Sequence, residues 1–438
     1  MLYLSPKRAF ASVMTTEFKK FGFVNYMDPE AKGKGKKVNR LFCSLESLDR
    51  FVRELHPHLY NKLDLLIIDE SESIFSVVSS ETLRSNEPIN NLLTLTHVMK
   101  SAGVVVAMDA HMCDRTVEPI AKVRKIDQNS AYFLQNSFKP EPRFCNLVRK
   151  NIQGTIVSEL NDSLSKGKRC VAIIGSKKFA DGLVQSVNEL HGGRKQIKYY
   201  SRDNKLDGTV DVREEWKTCD LLVYTPCITC GVNFPRVSQD DGEIATASTD
   251  YEVLYVTTST TGSCIFRDMI QASHRVRHFT ERTMTLGLGI RPVPAPHLFP
   301  VTFGEVADSL HKLKDINDLT CCKSITVEEA ADDLVVKEDR DVKNLRWVFR
   351  TMVFNQLERN LNVRYLPQVL REHFRRENIR ITREMCTSEE NMVHQSVFTV
   401  ADDDWKWDEI ELIDDATYRQ YATNEVNQRS FVDLGRER

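Results

Sequence analysis

The sequence predicts an α/β fold: two domains on open parallel sheets, residues 1–138 and 150–292, then a mainly helical C-terminal region, residues 300–438. Three observations carry that prediction. Short apolar runs recur at Leu63–Ile68, Gly103–Met108, Cys170–Ile174, Leu221–Tyr224 and Val253–Val256, the pattern of strands buried on both faces. Helix-like stretches such as Leu45–Leu55 and Phe179–Leu190 alternate with them, as βαβ units require. Proline-rich breaks then divide the chain.

In order, Leu2-Tyr3-Leu4 reads as a short buried strand opening the first domain. Lys139-Pro140-Glu141-Pro142 is held extended by its prolines and separates the two groups of strands. Arg291-Pro292-Val293-Pro294-Ala295-Pro296 interrupts any regular element, and helical patterns follow at Val342–Leu361 and Leu366–Asn378. Between Arg359 and Arg383 seven arginines stand against Glu372 and Glu377, a phosphate-facing surface or simply solvated helix faces. Between Asp402 and Asp415 eight carboxylates surround Trp405 and Trp407, a docking segment or a polar tail.

The 438 residues carry 60 Lys+Arg against 62 Asp+Glu, so any grip on nucleic acid has to come from local patches rather than bulk charge. With 41% apolar and 28% charged residues the chain has the composition of a folded protein, which excludes disorder and collagen. No run approaches the roughly 18 apolar residues of a membrane span, and Met1–Phe10 is too short for a signal-peptide core, so a soluble, unsecreted protein is expected. Eleven cysteines without framework spacing suit a reducing compartment. Cys227-x-x-Cys230 has no second pair at metal spacing, which argues against zinc. His56 and His58 flank Pro57 and are expected at the surface.

The chemistry concentrates after the second apolar run, at Ile68-Asp69-Glu70-Ser71-Glu72. An acidic pair at the carboxyl end of a parallel strand sits where ligands bind in open α/β sheets. There Asp69 could hold Mg²⁺ through water and Glu70 could orient an attacking water for phosphoryl transfer. The same pair would equally serve to cap the next helix. Near the end of the second group, Gln271, Arg275 and Arg277 could reach a γ-phosphate, or form a solvated basic turn.

Order adds information. Leu4-Ser5-Pro6-Lys7-Arg8, Ser44-Leu45-Glu46-Ser47-Leu48, Asp69-Glu70, Met108-Asp109-Ala110, Ile174-Gly175-Ser176, Val223 to Phe234 and Gln271 to Arg277 follow one another as motifs Ia, Ib, II, III, IV, V and VI of superfamily 2 helicases do. More closely, the set resembles the helicase part of the herpesvirus replication origin-binding protein family, through Leu45-Glu46-Ser47-Leu48, Met108-Asp109-Ala110, Glu215-Trp216-Lys217, Thr229-x-Gly231 and Arg275-Val276-Arg277, over roughly residues 1 to 285.

The resemblance implies two RecA-like P-loop NTPase domains that use ATP and Mg²⁺ and move on single-stranded or origin DNA. It implies DNA contacts from Ser5, Lys7, Arg8, Ser44, Ser47, Thr225, Thr229 and Gly231, coupling through Asp109, and sensing of the γ-phosphate by Gln271, Arg275 and Arg277. Hydroxyls and amides on loops after strands suit that work, because they grip phosphates without reading bases. His274 stands where the family has glycine before the first arginine, which would put a Cβ in a tight turn; Asn233 takes a place that is often acidic.

The family also has a phosphate loop, Gly-x-x-x-x-Gly-Lys-Ser/Thr, one helix ahead of the Leu2-Tyr3-Leu4 strand, and the sequence contains none. Gly33-Lys34-Gly35-Lys36-Lys37 and Gly167-Lys168-Arg169 lack the spacing. The expectation is therefore an origin-binding-type DNA helicase whose first domain is truncated, working with replication proteins in a nucleus or at a viral replication site. The alternative is a non-enzymatic nucleic-acid-binding scaffold derived from one.

Overall fold

The computed structural model describes residues 1–6, 18–33, 37–80, 88–126, 131–136, 141–204, 212–228, 251–260, 264–277, 279–290, 298–312 and 346–385, with single positions 11, 14, 15, 83 and 234. They divide into two compact units: Met1–Asn136 with His297–Asn360, and Ser137–Pro296 with residues 361–385. The C-terminal region expected as a third part is thus shared between the two.

The first unit is built on β1 (Leu2–Ser5), β2 (Val24–Asn25), β3 (Leu41–Ser44), β4 (Leu65–Asp69) and β5 (Val104–Met108), in the order β2-β3-β1-β4-β5 and parallel throughout. Every residue of β1 and β3 is buried, in keeping with the reading of Leu2-Tyr3-Leu4 as a buried strand. Helices α1 (Ser71–Ser76), α2 (Pro88–Ser101) and α3 (Asp114–Arg124) connect and cover the strands. Between α2 and β5, a Cβ on Gly103 would meet the Asp64 carbonyl oxygen at 2.9 Å, so only glycine passes there. Arg124 of α3 donates to the Met99 and Ala102 carbonyls at the end of α2, satisfying acceptors that the helix leaves open.

β5 is an edge strand, and an unusual one. Val104, Val106 and Met108 are 55, 38 and 40% exposed, so one face of a strand in a parallel sheet lies bare.

The second unit contains β6 (Arg143–Val148), α4 (Ile152–Ser165), β7 (Cys170–Ile174), α5 (Lys177–His191), β8 (Ile197–Tyr200), α6 (Val212–Lys217), β9 (Leu221–Tyr224), β10 (Val253–Ser259), α7 (Phe266–Ser273) and β11 (Thr283–Gly289). Ile156 and Leu160 of α4, Leu183 and Val187 of α5, and Ala172, Val223 and Tyr255 on the strands form its core. α5 begins at the Ser176 hydroxyl, which accepts the Phe179 N–H, and ends at Gly192 with φ 58°.

Helix α8 (Phe303–Lys312) and the long helix α9 (Arg346–Arg376) follow. The two helices predicted at Val342–Leu361 and Leu366–Asn378 are one element, broken at Tyr365 (φ −133°, ψ 33°), two residues before Pro367, whose ring disfavours regular helix ahead of it. Up to Asn360, α9 packs in the first unit: Trp347 Nε1 donates to Thr96, Arg350 makes a double contact with Glu118, and Asn355 donates to Ser79. The C-terminal region is mainly helical, as expected, and a last strand, β12 (Ile379–Met385), adds to β6 and gives the order β12-β6-β11-β10-β7-β9-β8, again all parallel.

His56 corrects a further expectation. It is fully buried, with Nε2 2.9 Å from the Ala31 carbonyl oxygen, a polar partner that lets the imidazole sit in the interior. His58 Nε2 likewise lies 2.7 Å from the Val38 carbonyl oxygen. Residues 402–415, with Trp405 and Trp407, fall outside the described residues.

Candidate functional site

Asp69 closes β4 at the carboxyl edge of the first sheet, and Glu70 follows as the N-cap of α1. Glu70 has left-handed backbone, φ 51° and ψ 50°, which turns the chain from strand into helix within one residue. For a glutamate this costs on the order of 1–3 kcal/mol, and such strain collects at functional sites. Asp69 Oδ1 accepts the Glu70 N–H at 2.9 Å, and Oδ2 accepts the Tyr3 hydroxyl at 2.5 Å. Burial, reinforced by the Asp69 charge, pushes the Tyr3 phenol far above its ordinary range and keeps it a donor.

Asp109 follows β5 along the same edge. Its Oδ2 accepts the Glu72 N–H at 2.9 Å and its Oδ1 the His111 N–H at 2.8 Å, so it holds the first turn of α1, directly after the acidic pair. Asp69, Glu70 and Asp109 are thereby brought together.

Glu72 is a residue that sequence reasoning missed. Fully buried, it accepts from the Cys113 N–H (3.0 Å), the Thr116 hydroxyl (2.5 Å) and Arg115 Nε (2.8 Å), and Arg115 reaches on to Asn355 and Glu358 of α9. Its signal was a second carboxylate in Asp-Glu-Ser-Glu, just ahead of the buried Ile74 and Phe75; its partners, 41 to 44 residues further along the sequence, left none. Burial first, then the Glu72 charge, push the Cys113 thiol well up, and the thiol lies 2.9 Å from Glu72 Oε2.

Two of the expected DNA-side residues, Ser5 and Ser44, are strand residues rather than loop residues. Ser5 and Ser44 are the last residues of β1 and β3, both buried; the Ser44 hydroxyl donates to Tyr26 at 3.2 Å, and Ser5 Oγ lies 3.5 Å from the Cys43 carbonyl oxygen. Ser47 lies in the short turn of helix after β3, half-buried. Lys7, Arg8, Thr229, Gly231 and Asn233 lie outside the described residues.

In the second unit, Thr225 follows β9 and is buried, and Gln271 is buried on α7. Tyr224 donates to the Ala272 carbonyl at 2.8 Å, tying the end of β9 to α7. Arg275 Nε donates to the Gln271 carbonyl oxygen at 3.0 Å. The arginine segment is extended: Arg275 O accepts the Phe234 N–H and Arg277 N–H donates back to Phe234 O, which leaves Arg277 exposed. His274 has φ −93° and ψ 3°, a conformation open to any residue, so the tight turn expected from the family glycine does not arise.

Among the described residues no three His, Cys, Asp or Glu side chains converge as a metal cage. A Mg²⁺ ion at Asp69 would take its remaining ligands from water and phosphate oxygens, the usual arrangement for this cation. Bound there, Mg²⁺ would neutralise charge on transferring phosphoryl oxygens. No helix among the described residues is long and apolar enough to cross a membrane.

Residues 1–171 match the family described as origin of replication binding protein. The chain resembles the replication origin-binding helicases. Similarity extends to the "Uncharacterized putative helicase R8" of Acanthamoeba polyphaga mimivirus, 22% identical over 291 residues, and to the "Putative replication origin-binding protein" of the same virus, 25% identical over 243 residues. These alignments cover 65% and 53% of the chain but 26% and 29% of the relatives, so this origin-binding-like chain spans less than a third of their length. Among solved structures, S. cerevisiae Dbp5 bound to RNA and ADP BeF3 aligns over 73% of the chain and 74% of its own, with 14% identity and a TM-score of 0.45. The likeness to the origin-binding family and the α/β parallel-sheet class both agree with the sequence reading.

Proposed function

We propose that the chain is the motor part of a replication helicase of the origin-binding type, which uses ATP and Mg²⁺ to move on DNA. One observation carries this reading: Asp69 and Glu70 close β4 beside Asp109, in a stretch that matches the origin-binding family from residue 1 to 171. Asp69 would hold the Mg²⁺, Glu70 would orient the attacking water, Asp109 would link both to the DNA-binding loops, and Gln271, Arg275 and Arg277 would answer the γ-phosphate. The DNA contacts would come from Lys7, Arg8, Ser47, Thr225, Thr229 and Gly231, with Ser5 and Ser44 shaping the strand ends behind them. A viral replication site or a nucleus would be its compartment, and other replication proteins its partners.

Hydrolysis also needs a phosphate cradle. The bare edge of β5 is where a further parallel strand would bring one: its carboxyl end would lie next to Asp109 and Asp69, and the helix after it would cover Val104, Val106 and Met108. DNA-stimulated phosphate release should be measured on a polypeptide carrying such a strand, phosphate loop and helix ahead of Leu2, and on its Glu70→Gln counterpart. Equal rates in the two would sink the role of Glu70.

The second reading is a DNA-binding scaffold derived from such a helicase, which would use the same DNA-side residues without hydrolysis. It predicts salt-sensitive single-strand binding that Mg·ATP leaves unchanged, and undetectable binding at low salt would remove it.

A further inference from the structure

Tyr3 is an odd residue for the middle of a buried parallel sheet, because its hydroxyl needs a polar partner there. The register supplies one. Tyr3 pairs with Ile67 across β1 and β4, so Asp69, two residues further along β4, lies on the same face of the sheet. The phenol spans that distance and donates to Asp69 Oδ2 at 2.5 Å, while the Glu70 N–H occupies Oδ1 at 2.9 Å. The ring is held in turn: Phe42 lies 4.4 Å away between centroids, Phe18 6.1 Å and Phe23 6.3 Å edge-on.

We propose that Tyr3 is a positioning residue for a divalent cation bound at Asp69. The proposal rests on the reading of Asp69 as the carboxylate on the metal side. Each Asp69 oxygen keeps a lone pair for water in the cation's shell, and two donors, one on a clamped ring to Oδ2 and one on the backbone to Oδ1, fix the plane in which those lone pairs lie. Hydrogen-bond partners behind a carboxylate ligand matter to metal binding in general, with losses of roughly 10–100-fold in affinity when they are removed. Tyr3 precedes Ser5, the last residue of β1, by two residues.

The test uses Mn²⁺ alone as probe, with free ion measured by electron paramagnetic resonance on the whole chain and on its Tyr3→Phe and Asp69→Asn variants. Tyr3→Phe keeps the ring in its aromatic cluster, and its melting temperature reports any structural effect separately. The expected result is binding by the parent, loss in Asp69→Asn, and affinity about 10-fold weaker in Tyr3→Phe. Affinity in Tyr3→Phe equal to or tighter than that of the parent overturns the proposal and leaves Asp69 in place, and a lowered melting temperature with unchanged Mn²⁺ affinity gives Tyr3 a structural role only. Parent-like binding by Asp69→Asn, or no binding by the parent, overturns the Asp69 reading itself and the proposal with it.

Discussion

The Glu72 carboxylate and the Arg115 guanidinium meet at 2.7 Å with side-chain exposures of 0 and 2%, and Arg115 extends the contact to Glu358 at the same distance. Two carboxylates share one arginine, Glu72 fully buried and Glu358 19% exposed, so Glu72 above all depends on it for compensation. Removing one partner of a buried pair costs about 3–5 kcal/mol, whereas replacing the whole set by well-packed apolar groups is often neutral. Arg115→Met should therefore lower stability to urea by that amount, and Arg115→Met combined with Glu72→Gln should recover part of it. Additive losses would show that the pair is not coupled.

Glu70 offers a test in which a substitution should stabilise. Its left-handed backbone at φ 51° suits asparagine better than glutamate. Glu70→Asn should raise stability on the order of 1 kcal/mol, read as a higher melting temperature. A lower one would mean that the glutamate side chain holds the turn, and the strain argument for a functional role would fall.

What the sequence made legible follows from burial. β1, β4, β7 and β9 were readable because their residues are apolar or lie in the sheet interior, and the order of the motifs located Asp69, Glu70 and Asp109 on one sheet edge. β6, with Arg143 and Asn146, and β8, with Lys198, carry polar residues that break the run, and β12 was hidden in an arginine-rich stretch where Ile379 and Ile381 alternate with Arg380 and Thr382. Glu72–Arg115–Glu358 and Tyr3–Asp69 depend on contacts across 43, 243 and 66 positions, and no local pattern encodes these.

Glu215 sets a pH dependence in the second unit. Partial burial alone would raise its carboxyl, but donation from Lys198 at 2.8 Å and Tyr200 at 2.7 Å outweighs this and holds it below the ordinary 4.5. The stability it contributes is present above pH 4.5 and lost as pH falls through the lowered value. Glu215→Gln should be less stable than the parent at pH 7, by less than about 1 kcal/mol because the pair is partly solvated, and the two should converge under acid. A gap that persists at pH 3 would assign the effect to packing.

The bare face of β5 makes the last prediction. An exposed, apolar edge in a parallel sheet is a template for another strand, and natural proteins guard such edges with lysine or cover them. Val104, Val106 and Met108 are exposed on β5, and their faces are not guarded in that way. The chain by itself should therefore self-associate in a concentration-dependent way, visible by sedimentation velocity. Val106→Lys should suppress the association with little change in melting temperature, because the side chain replaced already meets solvent. Supplying the strand, loop and helix proposed for this edge should suppress it equally, whereas Val106→Lys in that longer polypeptide should now destabilise by a few kcal/mol, as a charge forced under a covering helix must. If Val106→Lys were harmless there too, the added strand would not be lying on β5, and the proposed route to a phosphate cradle beside Asp69 would be closed.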